Sequence, residues 1–437
     1  MEVVDHPWFR GAALSAGILL ATVAPLHAGG DASARMQAES SQQALPLTLD
    51  EALDLAEKNN PQLQVASAQR EGAVAGITTA KAYPNPSVSL LGGPQYSRMS
   101  NAGRGPSGLL QAYTFTQQLE LPSLRRARID AAEKARAASE HGISSARLAV
   151  RGVVKQAFYQ VLRHHREVEV ARENLKLIED LRRRIETQVQ VGEAAKLELV
   201  RAEAEVATAR TLVRSAQLRE VTAKSVLRAA IGLPPGPELA PVGDVSKPVP
   251  LPPADQLRTE MLGRHPLLAQ ARADIVTAEA RVRAETAARK PQPAVYTDYE
   301  HQPDLGFVRF GVSLPINVWN KRQGPIAESV AALNRARAEA RVRELELAAA
   351  LERALGLYEI ATQQIQSLQE GVLKEAEFAL AAAEAAFRFG ERGIIDVLDA
   401  QRVLRRVRLD YMNAQFDLQA ALIDLEQLRA IDIGVTP

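Results

Sequence analysis

Val191-Gly192-Glu193-Ala194-Ala195-Lys196-Leu197-Glu198-Leu199-Val200 interrupts one long proline-free stretch. Phe389-Gly390-Glu391-Arg392-Gly393-Ile394-Ile395-Asp396-Val397-Leu398-Asp399-Ala400-Gln401 interrupts another. The two stretches, residues 123–233 and 326–436, are each 111 residues long and are entered through Leu121-Pro122 and Leu314-Pro315. Proline is excluded from helix interiors because it removes a backbone donor and clashes with the preceding turn. Glycine ends a helix readily, and acids in the first turn of the next are favoured by its dipole. Each break therefore reads as the tip of an antiparallel helical hairpin, with Gly192, Gly390 and Gly393 as its turn residues. The chain is a duplication built on very long helices.

The helices carry heptads. Val397, Ala400, Leu404, Val407, Tyr411, Ala414, Leu418, Ala421, Leu425 and Leu428 are spaced three and four apart. A shift of 198 residues gives Leu199, Ala202, Val206, Ala209, Val213, Ala216, Glu220, Ala223, Leu227 and Ala230, broken only by Glu220. Leu351, Leu355, Tyr358, Thr362, Ile365, Leu368 and Val372 continue the pattern upstream of the second break. Such stripes are coiled-coil seams, and small residues at half their positions let helices approach closely.

Outward from the helices, each half opens with two shorter helices split at a proline: Asn59-Asn60-Pro61-Gln62-Leu63 and Arg264-His265-Pro266-Leu267-Leu268. The residue before proline is pushed out of the helical region. Two hairpin segments follow, residues 87–121 and 294–314. Tyr113, Phe115, Leu119 and Leu121 alternate with Thr114, Thr116, Gln118 and Glu120; Val308, Phe310, Val312 and Leu314 alternate with Phe307, Arg309, Gly311 and Ser313. Period two with one apolar face marks strands, and about nine to eleven residues let a tilted strand cross a bilayer. Four strands close no pore unless several chains contribute; the alternative is a soluble four-stranded sheet. The loop at 92–108, rich in Gly, Ser and Asn, reads as exposed.

The domain plan is a signal peptide at 1–28, an N-terminal extension at 29–48, a first repeat at 49–233, a proline-rich linker at 234–253 and a second repeat at 254–432. The leader rests on Arg10, an apolar run and Leu26-His27-Ala28 before Gly29. Beyond it no apolar run is long enough for a transmembrane helix. Lys and Arg number 53 against 52 Asp and Glu, net +1, so no basic footprint for nucleic acid stands out. There is no cysteine, which excludes disulfides and thiolate metal sites. No nucleophile elbow, P-loop or dinucleotide fingerprint is present, so the chain does not read as an enzyme and no cofactor is expected. His164 and His165 are adjacent on a helix and diverge, which argues against a metal site.

The duplication, the Asn60-Pro61-Gln62-Leu63 stop, the paired strands and the Asp396-Val397-Leu398-Asp399-Ala400-Gln401 core together resemble the TolC-like outer-membrane efflux proteins. Residues 119–128 and 313–324 look most like the CzcC-type heavy-metal branch. The resemblance implies a mainly α fold with a small β part and an outer-membrane location extending into the periplasm. It implies a homotrimer in which each chain adds four strands to a twelve-stranded barrel embedded in outer-membrane lipid and long helices to a periplasmic α-barrel. The implied partners are a periplasmic adaptor and an inner-membrane resistance-nodulation-division pump, and the implied cargo is heavy-metal cations conducted passively. A multidrug or type I secretion channel is the alternative within this class, and a coiled-coil adaptor without a barrel the alternative outside it. The resemblance also places a constriction at the hairpin tips: Asp396 and Asp399 ring it, Arg392 reaches Glu198, and Phe387 stands where a hydroxyl-bearing aromatic would hydrogen-bond.

Overall fold

The computed structural model describes residues 45–96, 107–236, 238–245 and 248–430. The leader, the extension up to 44, most of the loop at 92–108 and the last two residues of the second repeat lie outside the described residues.

The first half begins with a short strand, β1 (Leu45–Leu47), then α1 (Leu49–Asn59) and α2 (Pro61–Lys81). Thr48 and Glu51 form a reciprocal capping box that starts α1. Asn60 ends it and caps α2, accepting from the Gln62 amide at 2.8 Å, while Pro61 takes the first helical position, where its missing N–H is harmless. The hairpin β2 (Ser87–Gln95) and β3 (Gly108–Gln118) leads into α3 (Pro122–Gln190) and α4 (Lys196–Ile231). At 69 residues α3 is about 100 Å long at 1.5 Å per residue.

The proline-rich linker is not featureless. It contains β4 (Leu239–Pro241), which pairs in parallel with β1, Leu45 opposite Leu239. The second half repeats the first: α5 (Ala254–Arg264), α6 (Pro266–Ala287), β5 (Ala294–His301), β6 (Gly306–Ser313), α7 (Gln323–Ser367), α8 (Leu373–Arg388) and α9 (Ile394–Arg429). Its long helix starts three residues before the expected 326, with Pro325 inside the first turn. It is also not continuous: Leu368–Val372 forms a π-turn between α7 and α8. The wider π-turn rotates Val372 out of its expected seam, leaving it 41% exposed.

The four main strands form one antiparallel sheet in the order β2-β3-β5-β6. One face carries Val88, Phe115, Thr297 and Phe310 in one cross-strand row and Leu90, Tyr113, Tyr299 and Val308 in the next. The other carries Ser89, Thr114, Asp298 and Arg309, where Thr114 donates to Asp298 at 2.9 Å and the Arg309 Nε donates to it at 3.0 Å. The apolar face is the exposed one, with Phe310 81% and Leu90 71% accessible. The expected alternation is thus present, with the grease outward and the charges paired on the opposite face.

The helices continue the order of the strands. Away from the sheet, α4 packs on α3, α3 on α9, and α9 on α7 and α8. Nearer the sheet, α2 packs on α3, α3 on α6 and α6 on α7. The end of α4 abuts the start of α2, where the Asn60 side-chain amide donates to the Ala230 carbonyl at 2.7 Å. The result is a slab of four columns with α4, α2 and β2 at one edge and α7, α8 and β6 at the other. The seams fill as the heptads require: Val397, Leu404, Val407, Ala414, Leu418, Ala421, Leu425 and Leu428 are buried, as are Ala202, Val206, Ala209, Ala216, Ala223 and Leu227. Glu220, the break in the stripe, is held by His165 at 3.1 Å and Lys224 at 3.0 Å.

Candidate constriction at the hairpin tips

The two tips are built alike. At the first, Gly192 adopts φ +83° and the Glu193 amide donates back to the Gln188 carbonyl at 2.8 Å. At the second, Gly390 adopts φ +72° and the Glu391 amide donates to Ala386 at 2.9 Å. Both are Schellman closures, which need a left-handed residue and so favour glycine. Gly393 differs from expectation. Its φ is −81°, extended, and it caps α9 as Ala195, at φ −77°, caps α4. No backbone constraint requires glycine there, because an N-cap takes ordinary extended geometry.

The acids sit over the first two turns of α9. Asp396 is half exposed, and the Arg392 guanidinium lies 3.7 Å from it. Asp399 is exposed and pairs with Arg402 at 3.2 Å. The expected reach of Arg392 to Glu198 does not occur within one chain; among the described residues Glu198 is in no ion pair. Asp396, one turn along the same hairpin, is the acid in reach. Close to the tips, an ion pair between the two hairpins is instead made by Arg402 and Glu205, 2.8 Å, from α9 to α4. That hydrogen bond to Glu205, with the Asp399 charge behind it, raises the Arg402 pKa above its ordinary value. Sequence reasoning missed this pair, because its partners share no motif and meet only through the register of α9 against α4.

Phe387 forms no polar network. Its ring packs against the core that holds Ile394, Val397, Val206 and Ile185, and its carbonyl accepts the Gly390 amide at 3.1 Å. The tip is therefore propped from inside by an apolar ring. Gln401 of the Asp-Val-Leu-Asp-Ala-Gln core is 3% exposed and donates to Asn174 on α3 at 3.3 Å. The two faces of that motif have separate jobs: Asp396 and Asp399 face solvent, and Val397, Leu398 and Gln401 are buried against the neighbouring helices. No cluster of ligating side chains suited to a metal occurs among the described residues, and His164 and His165 bind separate acids, Glu167 and Glu220. No described helix is long and apolar enough to cross a membrane.

The arrangement can act on ions electrostatically, but it presents no nucleophile or acid-base pair in a cleft. A family model described as "Outer membrane efflux protein" matches residues 52–233 and 257–430, the two repeats. The cobalt-zinc-cadmium resistance protein CzcC of Cupriavidus metallidurans is 27% identical over 375 residues, covering 84% of this chain and 86% of that protein. Among solved structures, the Campylobacter jejuni CmeC outer membrane channel superposes with a TM-score of 0.74 at 16% identity over 87% of this chain and 85% of its own. CusC does so with a TM-score of 0.73 at 18% identity over 88% and 92%.

Proposed function

Because the chain belongs to the outer membrane efflux protein family, we propose that three copies join edge to edge into one closed channel with the hairpin tips as its periplasmic constriction. As a family member it is the outer-membrane channel of a tripartite efflux system rather than an enzyme. What supports closure by further copies is the slab itself. β2 and β6 each have one unpaired side, and an antiparallel sheet of four strands cannot enclose a lumen. The helical edge is open too. Leu197, Val200, Ala204, Ala207, Thr211, Leu218 and Val221 run along α4 as a second, exposed seam with no partner helix among the described residues. On the other edge Val342, Leu345, Leu357 and Ile360 of α7 are likewise exposed.

In this reading the outward apolar face of the sheet meets lipid, and Asp298, Glu300 and Arg309 line the lumen. The channel is passive. Cargo delivered by an inner-membrane pump through an adaptor passes the tips, where copies of Asp396 and Asp399 form a ring of carboxylates that attracts cations and resists anions. The gate residues are Asp396, Asp399, Arg392 and Glu198, with Phe387 as the apolar prop. With Arg392 held by its own hairpin, an Arg392–Glu198 contact forms only across neighbouring copies. Arg402–Glu205 adds a clasp between hairpins of one copy. Exposed ion pairs contribute about 0–1 kcal/mol each, which suits a latch that adaptor docking can release. The name of the Cupriavidus relative supports divalent transition-metal ions as cargo. With seven histidines, five methionines and no cysteine, this chain has few soft ligands, so metal selection rests with the pump.

Reconstitution into planar bilayers tests the gate. The Asp396→Ala plus Asp399→Ala variant loses cation selectivity, and Arg402→Ala raises the single-channel conductance. Unchanged selectivity and conductance in both would remove these residues from the constriction.

A further inference from the structure

The apolar stripe of β6 does not stop where the strand does. Val308, Phe310, Val312, Leu314, Ile316 and Val318 follow at every second residue, and all are exposed, at 55, 81, 69, 55, 78 and 57%. Trp319 completes the run at 90% exposure. The last of these sit on the loop between β6 and α7, at the end of the sheet nearest the helices.

That loop is held from behind. The Asn317 side chain donates to the Arg289 carbonyl at 2.9 Å, Arg322 pairs with Glu285 at 2.6 Å, and Asn320 and Gln323 accept the backbone amides of Arg322 and Lys321. Asn317 and Arg322 thus reach back to the protein while the apolar groups are displayed. Pro315 removes a backbone donor from the displayed segment, which weakens it as a strand. At the same end of the sheet Tyr83 is 68% exposed, with the Arg125 guanidinium 4.4 Å over its ring. Lys290 and Lys321 lie beside the loop and are in no ion pair among the described residues.

We propose that Leu314, Ile316, Val318 and Trp319 form an anchor that inserts into the headgroup region of the periplasmic leaflet. Lys290 and Lys321 contact lipid phosphates, and Tyr83 continues the belt in the first repeat. This rests on the barrel reading above. The partner is a phospholipid interface because the patch is continuous with the lipid-facing row of β6, and because tryptophan and tyrosine bring an apolar ring with a polar edge to that depth. Lysine stems snorkel towards the same phosphates. The anchor sets how deep the barrel sits, which a sheet of short strands does not otherwise specify.

The chain has two tryptophans, Trp8 in the expected leader and Trp319, so the Trp8→Phe variant makes Trp319 the sole reporter whether or not the leader is removed. It is reconstituted into vesicles of phosphatidylcholine and phosphatidylglycerol whose acyl chains are brominated either near the headgroup or near the bilayer centre. The expected result is blue-shifted emission, most of it quenched by the shallow label and little by the deep one or by aqueous acrylamide. Quenching by acrylamide alone places Trp319 in water, and quenching by none places it between copies; either overturns the anchor while the barrel stands. Protein that fails to float with vesicles overturns the barrel reading and the anchor with it.

Discussion

His265 does in the second repeat what Asn60 does in the first. Its Nδ1 accepts the Leu267 amide at 3.2 Å, so the ring is neutral with its proton on Nε2. Burial lowers its pKa below the ordinary 6.5. A protonated ring has no acceptor to offer, and loss of an N-cap costs about 1 kcal/mol. The folded state therefore resists the proton that the unfolded chain takes up near pH 6.5. The contribution is present in full above that pH and is lost as pH falls through the lower folded value. Unfolding followed on either side of pH 6.5 should show the wild type losing more stability in acid than His265→Asn, whose amide caps without titrating. Equal losses would mean the cap is not the titrating element. This residue was readable in sequence only as the one before a proline. Its capping role needed the bend at Pro266 to aim the ring at the next amide. Arg402 and Glu205 were unreadable for a related reason, since neither lies in a break or a strand.

Helix ends show the duplication most closely. α4 and α9 are each 36 residues, and both close on a left-handed residue, Gly232 at φ +84° and Ala430 at φ +52°. A Cβ on Gly232 would lie 2.7 Å from the Asn59 carbonyl oxygen, where backbone cannot yield. Ala430 holds the same conformation with a side chain, at an expense of about 1 kcal/mol. Ala430→Gly should therefore raise the unfolding midpoint, and Gly232→Ala should lower it by a larger amount. A midpoint unmoved by Ala430→Gly would show that the turn relaxes in solution. The tip turns were legible because glycine is followed by a restarted heptad. The π-turn was not: Gly371 lies in it, yet Gly356 lies in ordinary helix of α7, so glycine alone does not mark the place. β1 and β4 were invisible because three-residue strands carry no period.

For the whole molecule, sequence periodicity was enough for the repeat, the seams and the outward face of the sheet. The order of columns was not, because it depends on which long helix lies beside which, and every seam is made of the same few small and aliphatic residues. The slab makes a direct prediction about assembly. Val200 and Val221 are exposed in the single chain, at 58% and 59%, so Val200→Glu with Val221→Glu should leave helix content unchanged, surface changes being worth within about 0.5 kcal/mol. Mass determination in detergent should nevertheless show the proposed trimer giving way to monomer. A trimer of wild-type stability would place this seam in the lumen instead.

The register of the two tips carries one more consequence. A shift of 198 residues sets Asp396 against Glu198 but Asp399 against Arg201. Around the mouth of the proposed channel the two kinds of tip therefore alternate with different charge patterns: Asp396 and Asp399 each have an arginine of their own hairpin beside them, whereas in the other tip Arg201 stands where the second acid would. In that arrangement a cation drifting in off-axis meets a field that varies from tip to tip, not a uniform collar, and the shape of the duplication becomes the shape of the field.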